Sequence, residues 1–142
     1  MSLSETLYGA ANTLALLAWV ALAIAPYSAR MRRVLYGGVV VLFGLTYTAL
    51  FVGTFDADMF RSFSTLEGLS ALFSNPTAVL VGWIHYLAFD LLAGLYIAEK
   101  AGALNLKKRQ LWPFLALTFM AGPLGWTSFI VFKSLRTRTY TF

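Results

Sequence analysis

Apolar residues run through this chain in long unbroken stretches, and the charged residues fall in the gaps between them. Between Glu5 and Arg30 lie 24 residues without Asp, Glu, Lys or Arg; between Arg33 and Asp56 lie 22, and between Arg109 and Lys133 lie 23. From Gly68 to Ala98 the one charged residue is Asp90. A helix rises about 1.5 Å per residue and the hydrocarbon core of a bilayer is about 30 Å thick, so about 20 apolar residues cross it. The windows predict four spans, over residues 7–25, 34–53, 77–97 and 111–132. Each is apolar all round and lacks the polar outer face that a helix of a soluble bundle needs. The expected fold is all-α: one transmembrane domain over residues 1–142, an integral membrane four-helix bundle.

The longest gap, 54–75, carries a weaker pattern. Phe63, Leu66, Leu69 and Phe73 recur at steps of three and four, with Ser64, Glu67 and Ser74 opposite. That spacing predicts a short interfacial helix between spans 2 and 3, lying on the membrane surface. Asn75 and Pro76 then suit the N-cap and first residue of the third span.

Composition excludes whole function classes. Hydrophobic residues make up 59% of the 142 and charged residues 12%, with a mean hydropathy of +0.72. A soluble domain is roughly a quarter charged, so a soluble enzyme, a nucleic-acid binder and a disordered tail all fit poorly. Cys is absent, which removes disulfides and thiolate chemistry, and His85 is the one histidine. The segment before the first span has no basic residue, and the apolar stretch after it is long enough to span, unlike a secretory signal. A prokaryotic inner-membrane protein without a targeting extension is the expectation.

The basic loops set an orientation. Arg30, Arg32 and Arg33 lie in the first gap and Lys100, Lys107, Lys108 and Arg109 in the third. Four spans put both gaps on one side, where positive charge favours the cytoplasm. Both termini then lie on the opposite side, and the tail residues Lys133, Arg136 and Arg138 argue against that. A break at Gly122-Pro123 that turns the chain back is the alternative. Proline kinks are tolerated within membrane helices, so a continuous fourth span is expected.

Candidate chemistry is concentrated in span 3. A carboxylate at Asp90, near mid-membrane, costs about 2.5–3.5 kcal/mol unless it is neutral or paired. His85 is a second titratable group, and Tyr86 lies one turn before Asp90. Two readings of Asp90 stand: a functional carboxyl, or one that bonds Tyr86 and locks the bundle. Five residues separate His85 from Asp90, about 140° round a helix and about 7.5 Å along it. They could flank a ligand or each meet a separate partner. Asn12 on span 1 is a candidate partner, since its amide must be satisfied in lipid. The surplus of aromatic residues, including Tyr47, Trp83, Phe89 and Trp126, suits a long flat apolar ligand. His85 and Asp90 are at best a partial ligand set, so no metal site is expected within one chain. Gly37, Gly38, Gly44, Gly82 and Gly94 allow close helix contact, within a chain or between copies in a homo-oligomer.

Trp83-Ile84-His85-x-Leu87-x-x-Asp90-Leu91 follows Phe73-Ser74 and precedes Gly122-Pro123-x-Gly125 in the fourth segment. With Pro26 after the first helix and Gly44, Leu45 and Tyr47 in the second, the chain resembles the abscisic-acid-deficient-four-like family. Plant members are neoxanthin synthases, or are required for neoxanthin formation, in the plastid. The resemblance implies a carotenoid or related isoprenoid substrate and a polar centre at His85 and Asp90.

Opening an epoxy-carotenoid to an allenic alcohol is an isomerisation: an oxygen gains a proton, a carbon loses one, and no redox cofactor is needed. By this reading His85, Asp90 and Tyr86 are catalytic: Asp90 protonates oxygen with Tyr86 orienting it, and His85 takes the carbon-bound proton, or the two exchange roles. Asn12, Tyr47, Trp83, Phe89 and Trp126 would bind substrate. Two other classes stand beside it. One is a carotenoid-binding or accessory membrane protein without turnover; the other is a metal-dependent polyene oxygenase, whose ligands would have to come from two copies.

Overall fold

The computed structural model describes residues 2–54 and 57–138, and every regular element among them is helical. Helix α1 spans Leu3–Ile24. It starts at a reciprocal cap: Ser2 Oγ accepts from Glu5 N at 3.2 Å, and Ser2 N donates to Glu5 Oε2 at 2.6 Å. The chain turns through Ala25 and the buried Pro26 into a second rod made of α2 (Ala29–Val34), a π-helical segment (Leu35–Val40) and α3 (Val41–Thr54). The wider π turns contain the Gly37-Gly38 pair, where helix propensity is weakest.

Helix α6, Pro76–Ala103, is the spine. Asn75 Oδ1 accepts from Thr77 N at 2.8 Å and Pro76 opens the first turn, as the sequence predicts. At 28 residues α6 is about 42 Å long, and it packs against α1, α3, α7 and α8. Leu91, Leu95, Ile97 and Ala98 are buried in one core with Trp19 and Leu22 of α1. Leu80, Ile84 and Leu87 are buried in a second core with Ala15 and Phe43. Gly94 admits the Trp19 ring, whose Cη2 would lie 2.6 Å from a Cβ there.

Three helical rods, Leu3–Ile24, Ala29–Thr54 and Pro76–Ala103, are long and apolar enough to cross a membrane. The expected continuous helix over 111–132 is instead two: α7, Lys108–Met120, and α8, Gly122–Thr137. Ala121 is extended, with φ −154° and ψ 77°, and Pro123 behind it has no N–H with which to continue the helical ladder. The chain then doubles back. Phe114 stacks edge-on against Phe129 at 5.4 Å and lies 5.2 Å from Phe132. In a straight helix residues 114 and 129 would stand about 22 Å apart. Gly125 lies directly on the Thr118 backbone, a contact that no side chain at 125 would permit. The arms α7 and α8 are therefore an antiparallel hairpin whose open end returns toward the start of α7.

The expected interfacial helix is likewise two short helices, α4 (Ala57–Ser62) and α5 (Leu66–Leu72), with Thr65 capping the second through Gly68 N at 3.1 Å. This splits the expected apolar stripe. Phe63 and Phe73 border a groove beside α6 while staying 54% and 43% exposed, and Leu66 is 84% exposed. At the other end the α1–α2 and α6–α7 turns are tied together. Tyr27 Oη donates to Leu106 O at 2.7 Å, Lys108 Nζ to Ile24 O at 2.6 Å, and Trp112 Nε1 to Ala23 O at 3.1 Å.

Candidate functional site

The midsection of α6 presents chemistry on two faces, because 100° per residue separates His85 from Asp90. Gly82, His85 and Phe89 share one. His85 opens there into an apolar groove of about 220 Å³ between α3 and α6, roofed by residues of α4 and α5. Its imidazole stacks on Phe89 at 4.5 Å and lies 5.6 Å from the Tyr47 ring, which in turn stacks on Phe51 at 5.7 Å. Phe63, Phe73 and Val81 complete the walls. Gly82 lets the roof come down: a Cβ there would meet Phe73 Cε1 at 2.9 Å. Among the described residues, the titratable groups lining the groove are one imidazole and one phenol.

The other face carries Trp83, Tyr86 and Asp90. Trp83 Nε1 donates to Asn12 Oδ1 at 2.9 Å, and Asn12 Nδ2 donates to Tyr8 O at 2.9 Å, so the Asn12 amide is satisfied across the α1–α6 seam. The Trp83 ring lies 5.9 Å from Tyr8 and 5.2 Å from Tyr86. Tyr86 stands one turn before Asp90 on the same face of α6. Asp90 is only 9% exposed, and its Oδ2 is buried with no hydrogen-bond partner among the described residues. The carboxyl presses on Gly122, the first residue of α8, where any side chain would collide with Oδ1. The amino end of a 16-residue helix is a favourable neighbour for a carboxyl, because the helix dipole is positive there.

Of the residues expected to form one centre, the structure gathers His85, Tyr47 and Phe89 on the groove face, and Asp90, Tyr86, Trp83 and Asn12 on the seam face. Asp90 does not line the groove that holds His85. Trp126 joins neither set: it packs on Tyr96 at 4.7 Å, and Lys100 Nζ lies 5.1 Å from the Tyr96 ring. Among the described residues no three His, Cys, Asp or Glu side chains converge as metal ligands.

Sequence reasoning missed Phe51, Phe63, Phe73 and Val81 as groove walls and Gly122 as the neighbour of Asp90. The Phe73 signal was available, since Phe73-Ser74 and Gly122-Pro123 flank the span 3 pattern, but nothing in their spacing says which face each meets.

The model of the ABA DEFICIENT 4-like (ABA4-like) family matches residues 6–129, from the first turn of α1 to the middle of α8. The chain belongs to this family. The matched region includes both faces of α6, the groove and the hairpin tip. No curated protein and no solved structure matches the chain. Membership in the ABA4-like family is consistent with a membrane protein connected to carotenoid metabolism.

Proposed function

We propose that this ABA4-like protein is a membrane-embedded bundle that takes one end of a carotenoid or related isoprenoid into the α3–α6 groove and isomerises it by acid–base chemistry. The observation that carries the reading is the position of His85: the one imidazole of the chain opens into an aromatic, apolar groove. The groove suits a single ring end, and the polyene tail would lie along the exposed apolar surface beside Phe89, which is 58% exposed. Aromatic walls contact a flat conjugated ligand by stacking.

In this reading the epoxide C–O bond breaks as its oxygen takes the Tyr47 phenolic proton. His85 removes the proton from the adjacent carbon, and that C–H electron pair becomes the new double bond. Return of the proton from imidazolium to phenolate restores both groups, whose rings are 5.6 Å apart. Nothing is oxidised or reduced. The reading moves the acid from Asp90 to Tyr47, because Tyr47 shares the groove with His85. Asp90 and Tyr86 become positioning residues at the hairpin tip.

Expression in cells that accumulate defined carotenoids, followed by pigment analysis, tests this. The expected result is a new pigment of the same mass as its precursor, lost in correctly inserted His85→Ala and Tyr47→Phe proteins. An unaltered pigment profile with colourless purified protein would overturn it. A binding or accessory role is the second reading, favoured by the otherwise apolar lining of the groove. Pigment that co-purifies chemically unchanged would select it.

A further inference from the structure

The hairpin changes where the charges lie. The open end of α7–α8 sits with the α1–α2 and α6–α7 turns, which are already joined through Tyr27, Lys108 and Trp112. One end of the molecule therefore collects three basic residues from 30–33, four from 100–109 and three from 133–138, ten of the eleven Lys and Arg. Glu99 is the acid among them, a balance of +9. Arg61 lies toward the opposite end. So do Glu5 and Glu67, for a balance of −1 among the described side chains there. A continuous fourth span would instead divide the basic residues seven to four. The arms are also short: 13 and 16 residues are about 20 and 24 Å of helix, against a hydrocarbon core of about 30 Å. Gly122 at the tip meets Asp90, 14 residues into the 28-residue α6, which sets the tip near mid-depth.

We infer that α7–α8 is a re-entrant hairpin that enters and leaves the bilayer on one side, and that the basic face it completes docks on anionic phospholipid headgroups of that leaflet. The irregular backbone at Ala121 is compatible with this depth because its polar groups are satisfied locally: Ala121 N donates to Leu117 O at 2.8 Å, and Ala121 O accepts from Leu124 N at 2.8 Å and Gly125 N at 3.2 Å. Charge complementarity names the occupant: positive residues at a membrane end are drawn to anionic headgroups, and the same excess places that end in the cytoplasm. The amino terminus and the 57–75 segment then lie on the opposite side. The inference rests on the membrane placement proposed above and not on the groove chemistry.

The chain has no cysteine, so single-cysteine variants need no background removed. Ala29→Cys, Ser64→Cys and Arg138→Cys proteins in sealed vesicles of known orientation would be exposed to a membrane-impermeant maleimide, with detergent-opened vesicles as the full-labelling reference. Ala29→Cys and Arg138→Cys should react from one side and Ser64→Cys from the other. Reaction of Arg138→Cys from the Ser64 side would overturn the hairpin; reaction of Ala29→Cys and Ser64→Cys from one side would overturn the membrane placement itself. A protease-removable tag after Phe142 reads the same sidedness if a variant fails to insert. For the docking surface, phosphatidylglycerol added to detergent-solubilised protein should raise the Tm above that with phosphatidylcholine. The increment should vanish in 1 M salt, where screening acts within about 3 Å. Equal Tm values in the two lipids would overturn the docking.

Discussion

Two faces of one helix, separated by five residues of sequence, do opposite things in this protein. The Asp90 face is closed: a carboxyl lies against Gly122 and an indole–amide bond seals the seam to α1. The His85 face is open: an imidazole between aromatic rings borders a groove. A buried carboxyl in a membrane helix invites a functional reading by default, and here the surroundings redirect it. In the proposed reading, contact with a glycine at a helix start gives Asp90 an architectural role. The imidazole, itself exposed, is the group that the proposed reading sets against a guest.

The contrast can be broken or sharpened by substitution. The largest effect belongs to the open face. His85→Ala should reduce conversion by about 10²- to 10⁴-fold, the usual contribution of a general base, while thermal unfolding in detergent stays within about 0.5 kcal/mol of the parent. A large loss of stability there would mean that the imidazole is a packing group. Next comes the hairpin. Gly125→Val forces a branched side chain into the Thr118 backbone and should cost about 1–3 kcal/mol or more, read as a lower Tm and reduced insertion. A neutral result would show that the arms are not packed as described.

Asp90→Asn keeps the shape that fits Gly122 and should cost about 1 kcal/mol at most, with pigment conversion reduced by no more than a few-fold. Conversion abolished in a folded Asp90→Asn protein would return the carboxyl to the chemistry and erase the distinction between the faces. The smallest effect is expected from Trp83→Phe, which keeps the ring but removes the donor to Asn12. An interhelical bond of this kind averages about 0.6 kcal/mol in membrane proteins, a shift detectable by thermal scan with no change in the pigment made.

Much of this frame is legible in the chain. The three long rods follow from uncharged windows, and the start of α6 follows from Asn75-Pro76, because span length and capping are local properties. The 140° between His85 and Asp90 is also readable, since helical geometry fixes it. The partner each residue faces across the bundle was not. Hydropathy is identical for one kinked helix and for two helices folded on each other, so 111–132 reads as continuous. What decides it is tertiary: Phe114 against Phe129, and Gly125 on Thr118. Asn12 could be singled out from its cost in lipid, but its bond to Trp83, 71 residues away, could not.

The doubled-back arms also give the molecule a taper. In the re-entrant arrangement inferred above, five helical rods stand side by side at one end against three long rods at the other, and the protein displaces more lipid from one leaflet than from its counterpart. Acyl chains of the less occupied leaflet must fill the room above the Ala121 bend, beside exposed Met120 and Leu124. Under that arrangement, lateral pressure in the leaflet bears on the bend, and through Gly122 on the carboxyl of Asp90.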